Sequence, residues 1–252
     1  LLLFTAEMDA HREDARPFAV WPEGTARRIE ALHQVVLPQA DAGSPIPRTA
    51  RPTLTFAPSA IRFLNLPLLE LPASIDIAQK LAASSPLEAA LAAFARPLEV
   101  SVLADRQTSL AVVLPALKTL AAKYDIRRYH LVIDRGVGVE GKPLQAALSL
   151  SQKPPAVSPT FTLQIEPPGV RVLPSRAFIP FERENWTSDL RQQVRRHRSL
   201  WSSTTVPTVA LQVDEALSYE QLIAALSAAD GACAHAYDCG LPGLGLRFFL
   251  AP

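Results

Sequence analysis

A chain of 252 residues, 48% hydrophobic and 19% charged, can bury a sizeable core, which excludes wholesale disorder and fits two domains of about 100 residues or one large one. A net charge of +1 excludes the strong basic excess of a dedicated nucleic-acid binder. No apolar run approaches the roughly 20 residues that span a bilayer. The opening Leu1-Leu2-Leu3-Phe4, with no initiating Met, reads as a chain trimmed just after a membrane segment. Thr25 then caps a helix in which Ile29, Leu32 and Val36 recur at helical spacing. Pro38, Pro45, Pro47 and Pro52, with Gly43 and Ser44 between them, mark a linker.

The rest of the chain repeats itself. Pro52-Thr53-Leu54-Thr55-Phe56 and Pro159-Thr160-Phe161-Thr162-Leu163 both alternate as strands. Ile61–Leu64 is followed in kind by Val170–Leu173, and Ser101–Asp105 by Ala210–Asp214. Ser109 and Ser218 come four residues after the two Asp residues, and Leu117 and Leu226 eight residues later. The first match, Pro52 to Pro159, is out of step with the later ones, such as Asp105 to Asp214, so a two-residue insertion is expected in between.

Each copy reads as two strands, a helix, a strand ending at the Asp, a second helix and a closing strand. In copy one Ser85-Pro86-Leu87-Glu88 looks like a capping box, and Leu87, Leu91 and Phe94 line one helix face. Its strand Leu98–Ala104 leads into a helix carrying Leu110, Val113, Leu114, Leu117 and Tyr124, which Pro115 should kink or delay. The closing strand is Tyr129–Ile133. In copy two a helix over roughly 187–200 buries Leu190, Val194, His197 and Trp201. The strand Thr208–Val213 follows, then a helix capped by Ser218 and Gln221, then the strand Leu246–Leu250. The expected fold is α+β: two tandem ββαβαβ sandwiches with helices on one face of each sheet. The expected divisions are 1–51 (helix and linker), 52–135 (copy one), 136–158 (connector) and 159–252 (copy two).

The stretches Leu98–Leu117 and Pro207–Leu226 resemble the periplasmic domain of the ExbD/TolR family. That family shows an apolar strand ending in Ala-Asp, a short turn, often a Tyr, and a helix. Ala104-Asp105 keeps the dipeptide, Val213-Asp214 keeps the Asp, and Tyr219 sits at the aromatic position where copy one has Leu110. Ile126–Ile133 looks like the family's closing strand. Family members carry one such domain behind a transmembrane helix with a proton-carrying Asp; here the domain is doubled and that helix does not occur in the sequence.

Asp105 and Asp214 read first as residues that tie a strand end into the following helix, and second as a proton or partner site. Gly136-Val137-Gly138-Val139-Glu140-Gly141 matches GxGxxG, but Pro143 and the connector position favour a turn over phosphate binding. The densest basic run holds Arg191, Arg195, Arg196 and Arg198, with Arg191, Arg195 and Arg198 on one helix face. It is a solvated face or a contact for lipid headgroups, wall polymer or an acidic protein. Cys233 and Cys239 form a local disulfide, remain two thiols, or join His235 and Asp238 at a metal.

No nucleophile elbow, zinc-protease motif or cofactor fingerprint emerges, so no enzyme activity and no cofactor are expected. The resemblance implies a non-enzymatic envelope protein in the periplasm, attached to the inner membrane of a Gram-negative bacterium by an anchor upstream of Leu1. It also implies partners in an ExbB/TolQ-like motor driven by proton-motive force, or peptidoglycan, with scope for oligomerisation and no nucleic acid. Two other readings stay open. One is a soluble enzyme or small-ligand binder with a pocket between the copies. The other is a structural subunit docking through the segment Leu1 to Ala50.

Overall fold

The computed structural model describes residues 33–40, 44–45, 52–71, 77–137, 143–151, 161–197, 208–231 and 247–250, apart from 65, 93 and 95–97. After a two-residue strand β1 (Ser44–Pro45), an antiparallel meander opens the first half: β2 (Thr53–Ala57), β3 (Ala60–Phe63) and β4 (Leu66–Glu70). Two short helices follow, α1 (Ile77–Ala82) and α2 (Ser85–Ala92). Then come β5 (Leu98–Ala104), α3 (Leu110–Tyr124) and β6 (Ile126–Val137). α3 starts at Leu110 despite Pro115, because Ser109 Oγ accepts the Ala111 N–H at its first turn. The cap of α2 lies one residue before the expected box, on Ser84, whose Oγ accepts from Leu87 N–H at 3.4 Å.

The second half repeats the plan. β8 (Phe161–Glu166), β9 (Gly169–Leu173) and β10 (Ala177–Pro180) form a meander. Among the described residues one helix, α4 (Trp186–Arg196), follows, then β11 (Thr208–Val213), α5 (Tyr219–Asp230) and β12 (Arg247–Leu250). The chain is therefore α+β, with a five-stranded mixed sheet in each half. Each half opens on three strands where two were expected. α4 packs on α5 as α1 packs on α3, so the partner of α4 is α1 and not the helix at Ser85.

Strand registers fix the correspondence. Leu54 pairs with Val102, and Leu163 pairs with Leu211, giving a 109-residue offset from the first strand onward. Phe161 thus takes the place of Pro52, and the expected two-residue insertion is absent there. A slip of two residues leaves every side chain on its own face, so strand alternation cannot detect it.

Among the described residues the strands form one sheet in the order β10-β9-β8-β11-β12-β7-β6-β5-β2-β3-β4. The joining strand β7 (Pro143–Ser151) lies in the expected connector. It runs antiparallel to β6 and parallel to β12, so that Tyr129, Leu150 and Phe248 sit side by side. The glycine-rich sequence 136–142 leads from β6 into this strand and not into a helix, so it lacks the helix N-terminus a phosphate loop needs.

Helices α1–α5 cover one face of the sheet, and Phe56, Val102, Leu117, Tyr129, Leu163, Leu226 and Phe248 share their core. On the opposite face of copy one lie residues 33–40. The helix expected to run through Val36 ends before it: Gln34 has φ 56°, and from there the segment is extended. Val35 and Leu37 are buried against Ala57, Leu103 and Val132, while Val36 points out at 48% exposure. Ala40 N–H donates to Asp134 O, and β1 pairs with β7. Residues read as a linker therefore contribute to the sheet.

Gly169 faces Pro180 across β9 and β10, and a β-carbon there would stand 2.3 Å from Ile179 O. Gly169→Ala should destabilise the protein by about 1–3 kcal/mol through this backbone clash, measured by chemical denaturation. His197, at the end of α4, is buried and stacks on Phe161 at 6.2 Å. Desolvation lowers its pKa below the ordinary histidine value. A lowered base pKa means that the unfolded chain binds the proton more readily, so stability falls as pH drops below about 6.5. His197→Gln should flatten the loss of Tm between neutral and mildly acidic pH relative to the wild type.

Candidate functional site

The two strand–helix turns are built alike and meet. Asp105 N–H donates to Phe56 O, and Asp214 N–H to Ile165 O, both at 2.9 Å. Each Asp side chain then closes its turn: Asp105 Oδ1 accepts Gln107 N–H at 3.0 Å, and Asp214 Oδ1 accepts Ala216 N–H at 2.8 Å. Ser109 and Ser218 cap the helices, Ser218 in a full capping box with Gln221.

Four backbone hydrogen bonds cross between the turns. Leu110 N–H donates to Leu217 O and Tyr219 N–H to Thr108 O, each at 2.8 Å. Ala111 N–H donates to Glu215 O and Glu220 N–H to Arg106 O, each at 2.9 Å. Adding 109 to the copy-one residue of one bond, and subtracting it from the copy-two residue, gives the other bond of each pair. The contact is therefore reciprocal about a local twofold through the Ser109–Ser218 bridge. Leu110, Leu217 and Tyr219 are buried there. Burial pushes the Tyr219 hydroxyl far above the ordinary tyrosine range, and it has no hydrogen-bond partner among the described residues.

A cleft of about 420 Å³ opens beside the copy-one turn, lined by Ala57, Leu71, Ile77, Asp105, Thr108 and Val112 among others. Its described lining residues belong to copy one. The Asp105 carboxylate at its edge is committed to backbone amides: Oδ1 to Gln107 and Oδ2 to Val36 N–H at 2.9 Å. Among the described residues no group of three His, Cys, Asp or Glu is placed to hold a metal.

The expected basic face divides. Arg195 and Arg196 are exposed. Arg191 is half-buried, with its guanidinium against Gly231 at the end of α5; its Nε is 3.1 Å from where a β-carbon would stand. A cation there suits the negative end of the helix dipole. Arg198, Cys233 and Cys239 lie outside the described residues. Sequence reasoning missed His130, which is buried with its Nε2 3.0 Å from Glu99 Oε2, with Arg128 3.9 Å from the same carboxylate. Strand alternation places these residues on one face, but only the parallel β5–β6 register brings them together.

No protein-family model, curated protein or solved structure matches this chain. No described helix is long and apolar enough to cross a membrane.

Ser218→Ala should cost about 1 kcal/mol by removing the cap, whereas Tyr219→Phe should be neutral or stabilising, since it deletes a buried hydroxyl without a partner. Urea denaturation of both variants distinguishes the two effects.

Proposed function

We propose that this chain is a non-enzymatic cell-envelope protein in which one ExbD/TolR-like unit has been duplicated and fused into a permanent pair. The observation that carries this reading is the reciprocal contact of the two turns at a constant 109-residue offset. Fusion holds the halves at high effective concentration, so the pair needs no separate association step. Each half contributes one strand–helix unit with the Asp-turn-helix order, and Leu110 in one turn stands where Tyr219 stands in the other. In this reading the protein works in the periplasm, transmitting the work of a motor driven by proton-motive force through contacts with an ExbB/TolQ-like membrane partner or with peptidoglycan.

Two surfaces suit such contacts. Among the described residues the sheet ends in β4 and β10, whose outer backbone edges are templates for a partner's strand. Leu66 on β4 and Phe178 on β10 are exposed at 40% and 42%. Arg195 and Arg196 form the second surface, suited to anionic partners.

Arg195→Ala combined with Arg196→Ala should change stability by no more than about 1 kcal/mol, about 0.5 kcal/mol for each exposed side chain. In the native host, crosslinking and affinity capture of the wild type should retrieve an integral membrane motor subunit or peptidoglycan fragments. The double variant should retrieve less, with the larger deficit at low salt. Wild-type protein that fractionates with the cytoplasm and captures neither would overturn the reading.

A further inference from the structure

Copy one holds residues 33–37 by a set of contacts whose counterparts recur in copy two without an occupant among the described residues. Val36 is gripped through its backbone: its N–H donates to Asp105 Oδ2 at 2.9 Å, and its carbonyl accepts Arg106 N–H at 2.8 Å. Arg62 donates to Gln34 Oε1 at 2.8 Å, and Thr55 Oγ1 lies 3.1 Å from His33 Nδ1. At the 109-residue offset stand Asp214, Glu215, Arg171 and Gln164. Two of the four are identical in type, and the turn that presents Asp214 is bonded as its twin is. Yet Asp214 and Glu215 are exposed, whereas Asp105 is 7% exposed beneath its strap. No described residue bonds Asp214 Oδ2 or Glu215 N–H.

We propose that this face of copy two is a docking site for an extended peptide from a protein partner, gripped through the backbone of one residue by Asp214 Oδ2 and Glu215 N–H. The floor decides the chemistry of the occupant. Val35 and Leu37 rest on Ala57 and Leu103, but copy two has Glu166 and Gln212 at those places. Gln164 already donates to Glu166 Oε1 at 2.7 Å, leaving the second carboxylate oxygen for an incoming donor. With Asp214 and Glu215 at the rim, the site favours basic residues at the alternate positions that face inward. A segment with the apolar pattern of 33–40 would instead bury carboxylate and amide groups beneath valine and leucine. This site is separate from the strand edges and from the Arg195–Arg196 surface, and it does not rest on the envelope reading.

The test uses a labelled, end-blocked peptide of sequence 33–40 carrying Val35→Lys and Leu37→Lys, titrated against the full chain at low ionic strength. Fluorescence anisotropy should show saturable binding. Asp214→Asn with Glu166→Gln should weaken it about tenfold or more, since charge-assisted bonds are lost. Asn keeps an acceptor for Ala216 N–H, so the turn persists. Should the double variant fail to fold, Gln212→Lys, at an exposed position of the same floor, must weaken the dilysine peptide to a similar degree. Arg195→Ala should leave binding unchanged. No saturable binding, or binding that both the double variant and Gln212→Lys leave intact, would overturn the proposal. So would tighter binding of the unmodified 33–40 peptide, which would assign the face to the strap of a second copy.

Discussion

The structure depends on the first turns of two helices lending their amides to each other's approach loops. A helix start leaves N–H groups without intrahelical partners, and burying them unpaired is costly. In α3 and α5 two of these amides find carbonyls in the opposite turn. Neither helix is completed by its own half. The arrangement also uses up the positive helix ends that would otherwise attract anions. β5 and β11 run antiparallel through the shared sheet, so a flat sheet would keep their ends apart. β6, β7 and β12 lie between them, and twist in the usual sense accumulates over each such pairing.

The parts of this fold written in local sequence were readable. Leu98–Ala104 and Thr208–Val213 are apolar runs with clear limits, and both are strands over those residues. The Ser218–Gln221 capping box is a local pattern and is present. The strands that escaped notice lack a local signature. β4 and β10 contain Pro67 and Pro180, which a sheet tolerates at its edges. β7 is Pro-Leu-Gln-Ala-Ala-Leu-Ser-Leu-Ser, with no β-branched residue; its partners on both sides, not propensity, make it a strand. The motif residues Asp105, Ser109, Asp214 and Ser218 stood out, but their mutual contact did not. Hydrogen bonds between residues so far apart in the chain leave no trace in spacing.

The two halves share a backbone plan and differ in how they treat the outer face of the sheet. Copy one places Ala57, Leu103 and Val132 there, and burying this patch repays the ordering of the strap. Copy two places Glu166 and Gln212 at matching positions, where water is an adequate neighbour. His130 and Glu99 belong to the same asymmetry, since Phe249 and Thr208 stand in their places and cannot form that hydrogen bond. A few outward side chains thus give two similar halves different surfaces while the helix-side core remains common to both.

The pairing of strands shows where the chain tolerates a change of length. Val100 neighbours Tyr129, whereas its counterpart Val209 neighbours Phe248, well beyond the position that a constant offset would give. The second half therefore carries the longer path between its last two strands. The earlier pairings keep strict step: Thr53 lies beside Ser101 as Thr162 lies beside Ala210, and the same spacing holds along β2–β5 and β8–β11. A residue gained or lost inside either turn would misalign donors and acceptors in both halves at once. The local twofold therefore acts as a ruler: length can vary on the far side of the helices, while any indel at the turns must be matched by its twin.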